Sequence, residues 1–404
     1  MLKMFKGRRD LVISISGRMV SAFGDGVALV ALTLRFQAEG AHPYEVGLLL
    51  AAGVLPLLGT ARFAGRLADT HDSRQILVWA GLAEVAATVP LIFLSQVITI
   101  VLLVAVLGAA SSVTSATWAA LLPRLVGEEH VAKAVSAQQS LGVLAVVGAP
   151  AIGGLLAGIF GSGVPVALDA VSYLVLTLAA ALIRTRRIPE RVAEQTGSNR
   201  LQGGLSILRA DRLLAPLFAG VALVVLLVGM VDVVLVFLVR DTLHASASWY
   251  GLAMASWIAG MVAGSVGAGR VGTESGQVWA TIAGMALLCV CLASFAAAPV
   301  VWILIPLSIL GGAGNGYAGT CLSTLLLLRT PEQARGRVSA VANAVLGGAQ
   351  GTSLLLGGVV ALALSPREVY ALAGLLGLGT ALVLALGTAS GVFRPGRAAD
   401  AHAS

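Results

Sequence analysis

A chain of 404 residues that is 58% hydrophobic and only 11% charged lies far from the composition of a soluble domain, in which about a quarter of residues carry charge. Its solvent is lipid. The net charge of +7 fits contact between basic loops and an anionic membrane leaflet, and gives no support to a nucleic-acid partner.

Apolar runs long enough to cross a hydrocarbon core, which takes about 20 helical residues, follow one another along the chain. The first six fall at 11–34, 45–63, 76–95, 98–120, 136–160 and 166–183, and six more at 213–238, 250–268, 277–297, 300–327, 338–364 and 368–390. The runs are continuously apolar rather than alternating, and only helices or closed barrels satisfy the backbone inside a bilayer. An all-α membrane protein with twelve transmembrane helices is expected. The first run is too long, and too closely followed by others, for a cleaved signal peptide.

With a cytoplasmic N-terminus, 22 of the 26 Lys and Arg residues fall on the inner side, and only Arg18, Arg35, Arg240 and Arg367 fall elsewhere. That bias predicts a multi-pass protein of the cytoplasmic membrane with both termini inside. Trp79, Trp118, Trp249, Trp279 and Trp302 lie near predicted span ends, where an amphipathic ring prefers to sit, and Trp257 falls mid-span. Cys289, Cys291 and Cys321 all lie inside predicted spans, so they read as small buried apolar residues rather than a disulfide framework.

Ionisable side chains inside these runs are costly and therefore functional candidates. In the first span Asp25 lies near the middle. Arg18 sits seven residues earlier on nearly the same face, about 10 Å away along the axis, so a neutralising Arg18–Asp25 pair competes with a proton or cation site at Asp25. Between the second and third runs lies a short charged turn, Gly65-Arg66-Leu67-Ala68-Asp69-Thr70-His71-Asp72-Ser73-Arg74. Glu84, in the third run, has no evident partner. In the fourth, Thr114, Ser115 and Thr117 beside Trp118 either line a cavity or bond their own helix backbone. The fifth carries Pro150, Gly153 and Gly154, and Asp169 lies four residues into the sixth, where it faces the outer interface, caps the helix or titrates. A polar stretch from Arg184 to Arg212 separates this half from the next. Asp232 lies deep in the seventh run. The tenth contains Gly314 to Gly319 in a G-x-G-x-x-G spacing, but no strand precedes it, so close helix packing is a better reading than nucleotide binding. Asn315 and Tyr317 there are cavity candidates.

The second half repeats the first. A shift of 203 residues superimposes Glu129, Val135, Ser136 and Ala137 on Glu332, Val338, Ser339 and Ala340, and Gly148 and Gly154 on Gly351 and Gly357; a shift of 204 places Gly47-Leu48 on Gly251-Leu252 and Gly65-Arg66 on Gly269-Arg270. Two pseudo-symmetric six-helix bundles, 1–183 and 213–404 with a short cytoplasmic tail, joined by a cytoplasmic linker at 184–212, are a transporter plan.

These residues resemble the major facilitator superfamily. Its loop between spans two and three has the form G-x-L-a-D-[RK]-x-G-[RK]-[RK], matched here by Gly65, Leu67, Ala68, Asp69 and Arg74 and departed from at Thr70, Asp72 and Ser73. Asp72 in the glycine position is similar to the branch of macrolide-efflux and enterobactin-exporter proteins. Ser21-Ala22-Phe23-Gly24-Asp25-Gly26, Pro150-Ala151-Ile152-Gly153-Gly154 and Arg335-Gly336-Arg337-Val338 suit the same branch. The resemblance implies a central cavity flanked by spans one and seven, with Ser21, Thr114, Trp118, Asn315 and Tyr317 as lining candidates and Asp25, Arg18, Asp232 and Glu84 as proton-coupling or substrate candidates. It implies a latch at Asp69, with Gly65 and Arg74 completing the gate. Span four lacks the arginine usual in the family, and Thr273 stands in the second half where Asp69 stands in the first.

No enzyme motif is present. His42, His71, His130, His244 and His402 fall in predicted loops or the tail, so no metal site or cofactor is expected, and neither H-E-x-x-H nor a P-loop occurs. The expectation is a monomeric secondary transporter, with protons as coupling ion, exporting a hydrophobic small molecule such as an antibiotic, siderophore or other natural product. Import of a small solute, and a transporter-like receptor without flux, are the alternatives.

Overall fold

The computed structural model describes residues 9–183, 185, 198–390 and 392. Fourteen α-helices and no strand occur among them: α1 Arg9–Ala38, α2 Pro43–Gly59, α3 Ala61–Thr70, α4 Ser73–Leu91, α5 Val97–Val126, α6 Val131–Phe160, α7 Gly163–Leu182, α8 Ser198–Ala210, α9 Leu214–Phe237, α10 Ala247–Ala268, α11 Glu274–Ala296, α12 Leu304–Arg329, α13 Arg335–Val360 and α14 Pro366–Ala389. Every predicted run is helical. Among the described residues eight helices are long and apolar enough to cross a membrane, or nine if α2 and α3, bent by 48°, form one span. That is fewer than the twelve expected: α4 and α13 are diluted by polar residues such as Arg74 and Glu84, and Arg337, Asn343 and Gln350, and of α6 only the apolar stretch Ala145–Phe160 counts among the described residues. Many large apolar side chains point outward, Leu102, Leu178, Leu382 and Leu386 among them, which suits a lipid exterior.

The charged segment expected as a turn is mostly helix. Residues 61–70 form α3, and only His71 and Asp72 break the chain before α4. The reason is local: Asp72 caps α4 by accepting from Arg74 N at 2.8 Å, so the turn needs just two residues, and an Asx cap stands where the family pattern has glycine.

The chain divides into two compact units, one of Met1–Ala193 with Val233–Ala255, the other of Glu194–Asp232 with Ser256–Ser404. In the first, α1 lies against α6 and α7, α4 against α5 and α7, and α2 and α3 against α5. Small residues set these approaches. A Cβ at Gly153 would lie 2.8 Å from Val27 O on α1, and one at Gly154 would lie 2.9 Å from Ala247 O. One end of this unit is tied by Thr185, whose N and Oγ1 donate to Asp10 Oδ2 at 2.9 and 2.8 Å, and by Arg74, which donates to Ala181 O. At the other end Arg35 pairs with Glu39 at 2.8 Å and donates to Leu91 O at 3.0 Å. There Gln37 donates to Asp241 at 2.7 Å and accepts from Arg240, which also donates to Ala245 O at 2.7 Å. Leu91 ends α4, so Arg35 supplies a cation and donor to a helix C-terminus.

In the second unit α11 lies against α12 and α14, and α8 lies on α13. The G-x-G-x-x-G stretch is a packing face, as the sequence suggests. Gly312 and Gly316 on α12 abut the backbone of Trp257 and Met261, and Gly314 abuts Gly284 O, 2.6 Å from the Cβ it lacks. At one end Arg329 donates to Asp211 at 2.7 and 2.9 Å and to Glu274 at 2.6 Å, joining the starts of α9 and α11 to the end of α12.

Candidate functional site

Within the first unit, four helices bring acidic and hydroxyl side chains together. Asp169 and Tyr173, four residues apart on α7, share a face turned towards α1. There Gly24 lets the helices close in: a Cβ at that position would lie 2.6 Å from Asp169 Oδ1 and still nearer Ser172 Oγ. The next residue, Asp25, accepts from the Tyr173 hydroxyl at 2.5 Å, and Ser172 Oγ donates to Asp169 Oδ1 at 3.1 Å. Gly81 on α4 meets Thr177 on α7 in the same way, and one turn further along α4 Glu84 accepts from Thr114 Oγ1 of α5 at 3.1 Å. Asp169 and Glu84 are 3% and 1% exposed, whereas Asp25 is exposed. The arrangement has one open carboxylate backed by two enclosed ones, a chemistry suited to holding and releasing a cation or proton.

Placement in the fold decides between several alternatives that residue spacing leaves open. Arg18 does not reach Asp25; its guanidinium lies against the Gln138 side-chain amide, which in the orientation that pairs donor with acceptor accepts from Nη1 at 3.2 Å and Nη2 at 3.3 Å. Asp169 neither caps α7 nor faces outward, since it is buried against α1. Glu84 has a partner after all, in Thr114. Trp118 packs in a core with Leu77, Leu121, Leu176 and Ala180, and Ser21 is buried at 6% exposure. Pro150, Gly153 and Gly154 form the seam between α6, α1 and the start of α10, where a Cβ on Gly251 would run into Pro150 O. Gly65 lies mid-way along α3 with open space about it, and Asp69 is exposed in the last turn of that helix.

In the second unit Asp232 is likewise exposed and accepts from Gln350 Nε2 at 3.3 Å. Gln350 also borders a cavity of about 290 Å³ with valine walls, to which Asn315, Asn343 and Ser323 add polar groups. Tyr317 points elsewhere, packing against Ala268, Ala280 and Cys321. Among the described residues no three His, Cys, Asp or Glu side chains are grouped to hold a metal ion, and the three cysteines are free and buried. Sequence reasoning passed over Tyr173, Gln350 and Asn343; the Asp169-x3-Tyr173 spacing was the available signal for the first.

This architecture defines a class. The structure of the nucleoside transporter NupG superposes with a TM-score of 0.74, covering 95% of this chain and 99% of that one at 13% identity. A bacterial homologue of the iron transporter ferroportin, in its inward-facing state, gives 0.74, 95%, 98% and 16%. At such identities the likeness establishes the fold, that of a major facilitator transporter. The chain belongs to the transmembrane secretion effector family of that superfamily, whose profile matches residues 12–401. Macrolide efflux protein A of Streptococcus pyogenes is 23% identical over 206 residues, 49% of this chain and 50% of that protein. The protein of the same name from Enterococcus faecalis is 25% identical over 169 residues, 40% and 52% of the two. The chain thus matches about half the length of these curated relatives. It is a multi-pass membrane protein of that transporter family, not an enzyme.

Proposed function

We propose that this transporter exports a hydrophobic small molecule, an antibiotic, siderophore or other natural product, in exchange for protons by alternating access. The observation that carries the reading is Asp25: an intramembrane carboxylate, exposed on one side and held by the Tyr173 hydroxyl on the other. Such a group is retained against its cost when an ion must bind and leave. Efflux as the direction is supported by the name of the partial relatives, and two six-helix halves joined through 184–212 by the repeat of motifs. Asp232 in the second half is the parallel candidate, with Asn315 placed beside the cavity for substrate.

The basic bias supports a cytoplasmic-membrane protein with both termini inside, and the proposal takes it as active as a monomer. A cytoplasm-only fluorescent reporter should glow after Arg191 and Arg397 and stay dark near His42 and His244; the reverse pattern overturns this orientation. Function is tested in an efflux-deficient host and in proteoliposomes: expression should lower accumulation of at least one hydrophobic compound, and an imposed pH gradient should drive its uphill movement. Binding without flux would favour the receptor alternative, and accumulation in cells would favour import. Asp69→Asn should lower transport with membrane expression intact, as the latch reading requires. Unchanged transport would make Asp69 a surface residue.

A further inference from the structure

Inside the first unit three carboxyl groups face one another, with no cation among them in the described residues. Asp25 is bonded to Tyr173, its neighbour Gly24 packs on Asp169 and Ser172, and Gly81, one turn before Glu84, packs on Thr177, one turn after Tyr173. The other charged groups on the surrounding helices lie at helix ends or are bonded elsewhere, Arg9 being exposed in the first turn of α1. On α1, Asp10 is bonded to Thr185, Arg18 faces Gln138, and Arg35 serves Glu39 and Leu91 O. On α4, Arg74 reaches Ala181 O, and on α5 the charged side chain is Arg124, in the last turn. The described side chains of α6 include no charged one, and α7 adds only Asp169 and Tyr173.

Three anions in one desolvated space repel one another, and each is costly without a counter-charge. Glu84 carries an independent sign. Its Oε1 accepts from Thr114, and Ser111 lies near on the same helix. Its Oε2 is fully buried with no hydrogen-bond partner among the described residues. An anionic oxygen so placed loses its hydration with nothing in return, and the groups are not arranged to hold a metal ion.

We propose that Asp25, Asp169 and Glu84 form one proton-holding unit, in which Asp169 and Glu84 store protons within the bundle and Asp25, steadied by the Tyr173 hydroxyl, is the port through which they exchange with water. Each proton entering at Asp25 and passing inward removes one negative charge from the unit, and each leaving restores it. The inference rests on the proton-coupled reading above and adds a store that coupling at Asp25 alone does not need.

Infrared difference spectra of the full-length transporter in lipid nanodiscs, recorded across pH steps, read protonated carboxyl groups without substrate or flux. The expected result is a protonated-carboxyl band at neutral pH that loses intensity in Glu84→Gln and again in Asp169→Asn. The pH midpoint of the remaining band should move in each variant and stay in place in Asp232→Asn. Thr114→Val keeps every carboxyl and should shift the Glu84 band, which covers the case in which a carboxyl variant does not fold. In proteoliposomes Tyr173→Phe and Asp169→Asn should lose uphill transport while retaining exchange between equally loaded sides. No band assignable to Glu84 or Asp169, or a midpoint for one that ignores removal of the other, overturns the shared unit. So does uphill transport undiminished in Asp169→Asn. Bands as expected in a protein whose wild-type flux ignores the pH gradient would uphold the store and sink proton coupling instead.

Discussion

Both units bring helices together at glycines, but they use the space differently. In the first, Gly24 and Gly81 face side chains, Ser172, Asp169 and Thr177, so the closeness admits polar groups into the bundle. In the second, Gly260, Gly264, Gly312 and Gly316 along one seam face backbone carbonyls of the opposing helix, as Gly153 does in the first unit, while Gly229 faces the Ser353 and Gln350 side chains. Without a hydrophobic drive between helices in lipid, either kind of contact must supply the cohesion itself. The first kind leaves ionisable groups in the bundle, at Asp169 and Glu84. In the second unit the side-chain contact at Gly229 lies near one exposed carboxylate, Asp232, which accepts from Gln350.

The largest expected effect tests that contrast directly. A valine at Gly312 or Gly316 must displace the Trp257 or Met261 backbone, which cannot rotate away as a side chain can. Overpacking costs about 1–3 kcal/mol where the core can yield; here we expect the upper end or beyond, seen as lost monodisperse protein in detergent. Gly24→Ala meets the rotatable Ser172 and Asp169 oxygens together with the fixed Ser172 Cβ at 2.8 Å, but no opposing backbone atom among its nearest contacts, and should cost less stability while disturbing transport more. Gly319→Ala, with nothing within 4 Å, should leave stability unchanged. If Gly24→Ala proves the more damaging to folding, the two kinds of contact are not distinct.

Next comes the division of labour between the two exposed carboxylates. Asp25→Asn should abolish gradient-driven accumulation in inside-out vesicles while leaving binding and exchange intact. Because Arg18 faces Gln138, adding Arg18→Gln should not restore uphill transport; recovery of both expression and transport in the double variant would show a structural pair. Asp232→Asn, in the unit without enclosed acids, should alter apparent substrate affinity more than the pH dependence. An equal loss of pH dependence in both variants would make the halves equivalent in coupling.

The sequence made the helices plain because lipid leaves the chain few alternatives, and the small-residue face of α12 followed from its glycines. The segment at 61–70 misled because motif residues such as Arg66 and Asp69 read as a loop, whereas a helix can end at the membrane surface with its charges in water. The pairing of Arg18 was opaque for a different reason: helical spacing places it near Asp25, but a long side chain chooses among neighbours, and Gln138 is brought by α6. Asp169 and Glu84 come from runs some 85 residues apart. Their meeting depends on α4 and α7 closing at Gly81 and Thr177, which no local pattern announces.

The smallest effect concerns the charged end of the second unit, which the first ties with Asp10 and Thr185 instead. Burial pushes the Asp211 carboxyl up, but the N–H groups of Leu214 and Leu213 and the Arg329 guanidinium outweigh it and hold the group below its ordinary value of 3.8. A carboxyl depressed in the folded state stabilises fully above its unfolded value, and that contribution disappears as pH falls through the lower folded value. Thermal unfolding in detergent should therefore show a loss of stability confined to pH below about 4, attributable to this site. Asp211→Asn should remove that acid-side component and lower the melting point at pH 7, leaving Arg329 with Glu274 alone. The side chain is 22% exposed and the pair is screened in part, so the change should be a few degrees, of the size that about 1 kcal/mol produces in a unit this large. An Asp211→Asn variant that melts like the parent at pH 7 and keeps the acid-side loss would show that α9 is held at this end by packing, and that the two units differ less at their charged ends than in their interiors.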